Sequence, residues 1–260
     1  MLLALDIGNT NIVVGLFDRQ ELIGHWRLTT DRNRTADELR LTMCGLLRDA
    51  GIEAERVTGI AVASVVPSLH RPLLQGFEPL FACPPRFLRA EDEPIPLDVD
   101  EPTAVGADRI ANCIAAHHRY PQSVLVIDFG TAVTFDLVSP DGAFLGGAIA
   151  PEMRLAARAL VDRAAQLHSV ALDVPESVIG RTTADNLRAG IAFGFLDLVG
   201  GLISRFRAEV EGPLRVIATG GKGELFARHL DAIEDYDPFL TLEGLRLWWE
   251  TAARDDTAES

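Results

Sequence analysis

The N-terminal part of the chain alternates between apolar runs and short polar turns. The run "LLALD" leads to Asp6 and Gly8, the run "IVVGLFD" follows, and "LIGHWRL" comes after the polar "RQE". Short apolar runs that are bounded by turn residues are typical of β-strands. The chain is therefore predicted to begin with three short strands joined by tight turns.

The same pattern returns in the second half of the chain. The run "VLVID" ends at Asp128, "FGTAVTFDLV" follows, and "AFLGGAIA" comes after the turn "SPDG". This repeat is far longer than a solenoid repeat, so it indicates two similarly built domains rather than a stack of units. We predict an α/β protein with domains at 1–115 and 116–260.

Helical periodicity separates these groups of strands. Thr35 and Glu38 have the spacing of a capping box, and Gly51 stands where a C-terminal cap would, so a helix is predicted between them. Buried strands are predicted at 59–66 and in "LRVIATGG". Further helices are predicted in "LLQGFEPLF", "ADRIANCIAAHHRY", 153–168, 183–209, 222–231 and "LEGLRLWWETAA".

Composition narrows the classes of function. The 260 residues are 48% hydrophobic and 24% charged, and no uninterrupted apolar run approaches the roughly 18 residues of a membrane span. The N-terminus lacks the basic and apolar regions of a signal peptide, so we expect a cytoplasmic protein with no membrane partner. A net charge of −14 disfavours nucleic-acid binding, because that binding depends on Lys and Arg at the phosphates.

The cysteines and histidines indicate no transition-metal site. Cys44, Cys83 and Cys113 are far apart and form no C-x-x-C motif. His117 and His118 are adjacent and point to different faces of the predicted helix. We expect three reduced structural thiols.

The candidate chemistry lies in the turns that end the predicted strands. A carboxylate at a strand end, followed by glycine and by small polar side chains, suits a phosphate and its divalent cation. A single Asp-x-Gly also occurs in ordinary hairpins, but here Asp6-x-Gly8 and Asp128-x-Gly130 occupy equivalent places in the two repeats. Gly220 and Gly221 form a third turn after a strand. The P-loop and the dinucleotide-binding G-x-G-x-x-G are both absent.

The ordered motifs "DIGNTN", "VGADR", "IDFGTA", "GGAIAP", "ATGG" and "DPFLTLEGLRL" closely resemble those of the type III pantothenate kinases. This resemblance implies two actin-like (ribonuclease H-like) domains with a nucleotide cleft between them. It also implies ATP-dependent phosphorylation of pantothenate to 4′-phosphopantothenate, the first step of coenzyme A synthesis. The expected enzyme is a homodimer that requires Mg²⁺ and a monovalent cation, K⁺ or NH₄⁺, with its dimerisation helices in the C-terminal domain.

The resemblance also implies roles for individual residues. Asp108 matches the family's general base, since phosphoryl transfer needs a carboxylate to receive the proton of the attacking hydroxyl. Asp6 matches the carboxylate that organises Mg²⁺, and Asp128 matches a group near the monovalent cation. The nucleotide-binding residues implied are Asp6, Gly8, Asn9, Thr10, Asn11, Gly130, Thr131, Gly220 and Gly221. The substrate-binding residues implied are Val99, Gly106, Ala107, Arg109 and Thr183, with Thr183 reaching pantothenate from the neighbouring subunit.

Structural alternatives remain for three of these positions, and the one for Arg109 is a solvated charge on a helix. The alternative for Asp108 is a structural role at the start of a helix, where its negative charge interacts favourably with the helix dipole. Thr183 also suits a helix N-cap, and the two roles do not exclude each other.

Four residues depart from the family pattern around the acceptor. Val99 and Glu101 stand where the family usually has Tyr and Asn, Glu152 replaces a Gly, and Arg188 stands at a Gln position. Because pantothenate is an anion, a new carboxylate near it is repulsive unless it is neutralised, and a Glu152–Arg188 pair is one hypothesis for this. A nucleotide-binding regulatory or interaction protein and a kinase for another alcohol therefore remain as alternatives.

Overall fold

The computed structural model describes residues 1–164, 168 and 170–258. They divide into two compact units. The first contains Met1–Pro121, Asp141–Leu145 and the described residues from Phe239 onward, and the second contains the described residues of Gln122–Pro140 and Gly146–Pro238.

The secondary structure of the described residues follows the predicted alternation. The strands are β1 (Leu2–Ile7), β2 (Asn11–Asp18), β3 (Glu21–Thr29), β4 (Gly59–Ser64), β5 (Arg86–Phe87), β6 (Ser123–Phe129), β7 (Ala132–Val138), β8 (Phe144–Pro151), β9 (Leu214–Gly220) and β10 (Asp235–Tyr236). The α-helices are α1 (Ala36–Asp49), α2 (His70–Phe77), α3 (Ala107–Arg119), α4 (Met153–Arg163), α5 (Thr183–Glu209), α6 (Gly223–His229) and α7 (Leu240–Ala258).

The two five-stranded sheets have the same strand order. The first runs β3-β2-β1-β4-β5 and the second runs β8-β7-β6-β9-β10 when read in the same sense. In each sheet the central strand, β1 or β6, pairs antiparallel with the strand that follows it and parallel with β4 or β9. The predicted internal repeat and the α/β fold class are therefore confirmed.

Each sheet has its own hydrophobic core. In the first, Leu3 and Leu5 of β1 are fully buried and belong to one apolar cluster with Leu39 and Met43 of α1. In the second, Leu125 of β6 belongs to a cluster with residues of α5 and β9. Burying one such aliphatic side chain stabilises a fold by about 1.5–3 kcal/mol. The central strands that carry Asp6 and Asp128 are thus firmly held.

The capping prediction for α1 is confirmed at both ends. The Thr35 hydroxyl accepts a hydrogen bond from the Glu38 N–H, and the Glu38 carboxylate accepts one from the Thr35 N–H. Gly51 directly follows the C-cap residue and has a φ of +68°.

The division into units differs from the predicted boundary near residue 115. That position lies inside α3, whose buried residues continue to Ala116. The C-terminal helix α7 packs on α3, and the Thr241 hydroxyl donates a buried hydrogen bond of 2.8 Å to Asn112 Oδ1. The last helix therefore belongs to the first unit, a long-range pairing that local periodicity does not encode.

Two helices need separate comment. The helix predicted at 153–168 ends at Arg163, with Ala164 extended, and residues 165–167 of that prediction lie outside the described residues. Helix α5 is long and apolar enough to cross a membrane by length and composition, with 39% of its most apolar stretch buried in the structure. Its residues Leu187, Val199 and Ile203 belong to the second core.

Candidate active site

The first Asp-Gly turn closes at the carboxyl end of the central strand β1. Asp6 is half-buried and lies in register with Val13 of β2 and Ala63 of β4. The Gly8 N–H donates a 3.0 Å hydrogen bond to the Asn11 carbonyl, which leaves Asn9 and Thr10 exposed at the tip. The result is an exposed polar turn beside a carboxylate that two neighbouring strands hold in place.

The segment after β3 packs against this turn, and the sequence reasoning missed it. The Thr30 hydroxyl donates a 2.7 Å hydrogen bond to the Gly8 carbonyl, and the Thr30 N–H donates one of 3.0 Å to the Thr10 carbonyl. Arg32 Nη2 donates one of 2.8 Å to Asn9 Oδ1. The available signal was the stretch "TTDRNRT", which places two arginines just after the strand that pairs with β2.

The second Asp-Gly turn occupies the equivalent place in the second sheet. Asp128 is half-buried near the end of β6, and Gly130 and Thr131 are exposed. The Gly130 N–H donates a 3.0 Å hydrogen bond to the Ala132 carbonyl, so this turn is one residue shorter than the first. Both turns place a polar loop immediately after a buried central strand.

The third turn lies directly against Asp128. Gly220 ends β9 and pairs with Phe129, and its φ of +81° belongs to the left-handed region that favours glycine. A Cβ at this position would lie 2.5 Å from Asp128 Oδ1. The Tyr236 hydroxyl donates a 3.2 Å hydrogen bond to the Gly220 carbonyl, and Gly221 follows as an exposed turn residue. The structure therefore brings Asp128 together with the predicted Gly220–Gly221 turn.

Asp108 lies in the first turn of α3, with Gly106 as the N-cap. Its Oδ1 accepts a 2.9 Å hydrogen bond from the Arg109 N–H. A Cβ at Gly106 would lie 2.5 Å from that same oxygen, so the glycine gives the carboxylate room to fold back over the start of the helix. Ala107 is buried beneath this turn.

Burial raises the pKa of Asp108 above its ordinary value of 3.8, because desolvation disfavours the charged carboxylate. The hydrogen bond from the Arg109 N–H and the positive charge of Arg109 oppose this shift without cancelling it. A carboxylate with a raised pKa is a better proton acceptor than an ordinary aspartate, which is what general-base catalysis requires. The structure thus gives Asp108 an environment beyond a simple interaction with the helix dipole.

Val65 connects the first turn to the Asp108 helix. Its N–H donates a 3.1 Å hydrogen bond to the carbonyl of Ile7, the residue after Asp6. Its Cγ1 would lie 3.6 Å from a Cβ at Gly106. The Asp6 turn and the N-terminus of α3 therefore approach the same residue within the first unit.

Arg109 stacks on an aromatic ring that the loop containing Val99 also contacts. Its guanidinium carbon lies 5.0 Å from the centroid of Phe144, within the range of cation–π interactions. The Asp98 N–H donates a 2.9 Å hydrogen bond to the Phe144 carbonyl, and the Phe144 N–H donates one of 2.9 Å to the Pro96 carbonyl. Val99, which follows directly, is half-buried. Phe144 thus joins two of the predicted substrate-binding positions.

Thr183 is exposed and is the first residue of α5. The structural alternative for it, a helix N-cap, is wrong because the cap is Thr182. The Thr182 hydroxyl accepts a 3.1 Å hydrogen bond from the Asp185 N–H, and the two residues form a capping box. The sequence "RTT" contains two adjacent threonines. Thr182 is the cap because Asp185 stands three residues after it, which is the spacing of a capping box.

Glu152 and Arg188 have partners of their own. Glu152 is the N-cap of α4, and its carboxylate accepts hydrogen bonds from the N–H groups of Arg154 and Leu155 at 2.8 and 3.2 Å. Arg188 forms an ion pair of 3.7 Å with Asp173. The structure therefore accounts for both residues without the hypothesised Glu152–Arg188 pair.

The donor groups at the turns fit a magnesium ion that is carried by a nucleotide. Among the residues that the structure describes, no three His, Cys, Asp or Glu side chains form a metal cluster. Mg²⁺ in nucleotide sites is commonly held by one or two carboxylates together with phosphates and water, so it does not need such a cluster. Asp6 supplies one carboxylate beside an exposed turn. In the second unit, the space next to the Asp128 carboxylate is open only because residue 220 is a glycine, since a Cβ there would lie 2.5 Å from Asp128 Oδ1.

Solved structures share the fold across almost the whole chain. A Campylobacter jejuni protein described as a conserved Baf-family transcriptional activator matches with a TM-score of 0.60 and 21% identity, over 97% of this chain and 99% of its own. A Sinorhizobium meliloti protein proposed to be a 2-dehydro-3-deoxygalactonokinase matches with a TM-score of 0.60 and 15% identity, over 98% and 96% of the two chains. At these identities the likeness shows the fold alone, and it agrees with the predicted two-domain actin-like architecture.

Sequence comparison gives a more specific result. The protein named type III pantothenate kinase in Myxococcus xanthus is 43% identical over 95% of this chain and 97% of its own. The one in Roseiflexus is 44% identical over 96% and 98% of the two chains. The family model for type III pantothenate kinase matches residues 2–205. The chain therefore belongs to the type III pantothenate kinase family.

Proposed function

We propose that the protein transfers the γ-phosphoryl group of ATP to pantothenate, which gives 4′-phosphopantothenate and ADP and begins coenzyme A synthesis. Pantothenate kinase is the name carried by the relatives that match over nearly the full chain. The structural observation that carries the proposal is the pair of Asp-x-Gly turns at the carboxyl end of the central strand in two sheets of identical order. Such repeated turns suit a nucleotide whose phosphates need backbone N–H donors.

The proposed reaction is an attack of a pantothenate hydroxyl on the γ-phosphorus. A bond forms between the hydroxyl oxygen and that phosphorus, the bond to the β–γ bridging oxygen breaks, and ADP leaves. The proton of the hydroxyl goes to the Asp108 carboxylate, whose pKa is raised by burial. Positioning and charge neutralisation supply most of the catalysis in such transfers, and the base completes it.

We assign nucleotide binding to the three turns. Gly8, Asn9, Thr10 and Asn11 of the first turn, Gly130 and Thr131 of the second, and Gly220 and Gly221 of the third are the proposed contacts. Asp6 would hold the Mg²⁺ that accompanies ATP, and this ion supplies charge neutralisation when it is bound. Asp128 would serve a monovalent cation, K⁺ or NH₄⁺, beside the second turn.

The acceptor contacts are proposed around Asp108. Gly106 and Ala107 shape the start of α3, and Arg109 offers a cation for the pantothenate carboxylate. Val99 lies on the loop whose residues Pro96 and Asp98 bond to Phe144 beneath Arg109. Thr183, exposed at the start of α5, would reach the acceptor of a neighbouring subunit.

A homodimer formed through the second unit is part of the proposal. Large apolar side chains are exposed there on β8, on α4 and on the segment before α5, including Ile149 (66%), Leu155 (53%) and Ile179 (78%). Large exposed apolar side chains of this kind are what a subunit interface would cover. Because Thr183 starts the helix that follows this segment, the same interface would deliver it to a second copy.

The cellular setting is proposed from composition. Pantothenate and ATP are small soluble substrates, and a net charge of −14 disfavours nucleic-acid partners. We therefore assign the enzyme to the cytoplasm without a membrane partner, since the apolar residues of α5 contribute to the second core.

The alternatives from the sequence analysis have less support once side-chain partners are known. Part of their basis was the added charge of Glu152 and Arg188, and the rest was the replacement of Tyr and Asn by Val99 and Glu101. Glu152 caps α4 and Arg188 pairs with Asp173. Both charges therefore have structural roles that do not require a changed acceptor.

The test of the proposed function is ADP release by the purified protein with ATP, Mg²⁺ and K⁺. Pantothenate should stimulate ADP release, while other small alcohols should not. If ATP raises the unfolding temperature but no turnover follows with pantothenate, the regulatory alternative takes precedence. Turnover with another alcohol alone would favour the altered acceptor. Omitting K⁺ and adding NH₄⁺ in its place tests the monovalent cation in the same assay.

A further inference from the structure

The segment Thr30–Thr35 is tied to the first phosphate turn by three hydrogen bonds. Two come from the N–H and the hydroxyl of Thr30, which reach the carbonyls of Thr10 and Gly8. The third joins Arg32 Nη2 to Asn9 Oδ1 at 2.8 Å. The first two bonds anchor Thr30, two residues before Arg32 along the chain, and the third holds the Arg32 side chain beside the turn.

The contact of Arg32 with Asn9 leaves most of the guanidinium available. Both side chains are exposed. A guanidinium carries five N–H donors in a planar fork, and the bond to Asn9 uses one of them. An exposed hydrogen bond to a neutral amide contributes little to stability, so the fold alone gives no strong reason to hold an arginine there.

The charge of this segment contrasts with that of the whole chain. The protein carries a net charge of −14, yet Arg32 lies beside the turn, and Arg34 follows two residues later along the chain. Arg34 Nη1 is buried and has no hydrogen-bond partner among the described residues. A guanidinium such as that of Arg32, next to the exposed backbone of a turn, is suited to recognise phosphate oxygens.

We propose that Arg32 binds the terminal phosphate of the nucleotide, with Asn9 orienting its guanidinium, and neutralises the charge on the phosphoryl group during transfer. This inference rests on the proposed function of the Asp6–Asn11 turn in nucleotide binding. Charge on the equatorial oxygens of the transferring group is stabilised by such a cation, and the fork geometry of Arg32 suits two of them.

The experiment compares Arg32→Gln and Arg32→Lys with the control Arg40→Ala. Arg40 is in the same unit and pairs with Asp37 on α1 at 3.0 Å. Calorimetry measures binding of ADP and of the non-hydrolysable ATP analogue AMP-PNP, and steady-state kinetics gives kcat and both KM values. Circular dichroism checks that each variant is folded.

We expect Arg32→Gln to weaken AMP-PNP binding more than ADP binding. We expect it to lower kcat by about 10²- to 10³-fold, as for the loss of one donor to transition-state charge. The KM for pantothenate should stay unchanged, Arg32→Lys should retain part of the activity, and Arg40→Ala should match the wild type.

Equal weakening of both nucleotides in Arg32→Gln would overturn the inference, because it would mean that Arg32 only shapes the turn through Asn9. Wild-type behaviour of Arg32→Gln would also overturn it. If the wild-type protein binds AMP-PNP but does not phosphorylate pantothenate, the proposed acceptor is wrong, and the binding comparison still decides the role of Arg32. If the wild type binds neither nucleotide, both proposals fail.

Discussion

Replacing Gly220 by alanine tests whether the third turn is built against Asp128. The new Cβ would lie 2.5 Å from Asp128 Oδ1 and 2.7 Å from the Phe129 carbonyl oxygen. Ordinary contacts begin at 3.4 Å, so the overlaps are 3.4 − 2.5 = 0.9 Å and 3.4 − 2.7 = 0.7 Å. The left-handed backbone, with a φ of +81°, adds strain for any residue that has a Cβ.

The expected loss in the free energy of unfolding has two parts. The left-handed conformation costs about 1–2 kcal/mol for a non-glycine residue, and the overlap costs about 1–3 kcal/mol in a packed site. The sum is about 2–5 kcal/mol, with weaker ATP binding because Asp128 must move. Gly212→Ala is the matched control, since its φ of +86° is similar and nothing lies within 4 Å of its Cβ.

Urea unfolding followed by circular dichroism measures the stability of both variants, and calorimetry measures their ATP affinity. We expect Gly212→Ala to show only the backbone part, about 1–2 kcal/mol, with wild-type affinity. The contrary result is that the two variants lose equal stability and that Gly220→Ala binds ATP as tightly as the wild type. That result would mean that the turn is not packed on Asp128.

Four further predictions concern the first unit and the interface. Thr241→Val removes the buried bond to Asn112 and should lower the free energy of unfolding by about 1–3 kcal/mol in urea, whereas Thr241→Ser should lose less. Because the pKa of Asp108 is raised, kcat/KM should fall on acidification at a higher pH than an ordinary aspartate would give, and a pH profile measures this. Because the pKa of Asp108 is higher in the folded protein than in the unfolded chain, protonation of Asp108 favours the folded state. This contribution to stability is lost as the pH rises through the folded pKa. Asp108→Asn should therefore have a higher melting temperature than the wild type at neutral pH. Ile149→Asp should yield a folded monomer by light scattering, with weaker pantothenate turnover; a dimer would contradict the proposed interface.

Features encoded by neighbouring residues were predictable from the sequence. The capping box at Thr35 and the left-handed Gly51 depend on contacts within one helix end. The three glycine turns follow apolar runs that are long enough to be recognised as strands. The repeat indicated two similarly built domains, and the structure shows that their sheets have the same strand order.

Features that depend on distant partners were not predictable. Helix α7 joins the first unit because Thr241 meets Asn112, far away along the chain. Arg188 pairs with Asp173, while Glu152 Oε2 accepts hydrogen bonds from the first turn of its own helix. The hypothesised charge pair therefore did not follow from the two charges.

The candidate site combines both kinds of information. The family motifs pointed to Asp108, but its raised pKa arises from burial that the sequence does not express. The contact between Arg32 and Asn9 depends on how the segment after β3 folds back over the turn. A residue such as Arg32, which lies outside the recognised motifs, can be connected to the site only from the contacts that the structure shows.

The most direct test of the central claim is mass spectrometry of the product formed from ATP and pantothenate by the wild type and by Asp108→Asn. We expect 4′-phosphopantothenate with the wild type. We also expect a loss of turnover of at least about 10²-fold in the variant, as for a missing general base, with AMP-PNP binding retained. A variant that forms this product at the wild-type rate, or a wild type that binds nucleotide and forms none, would contradict the account.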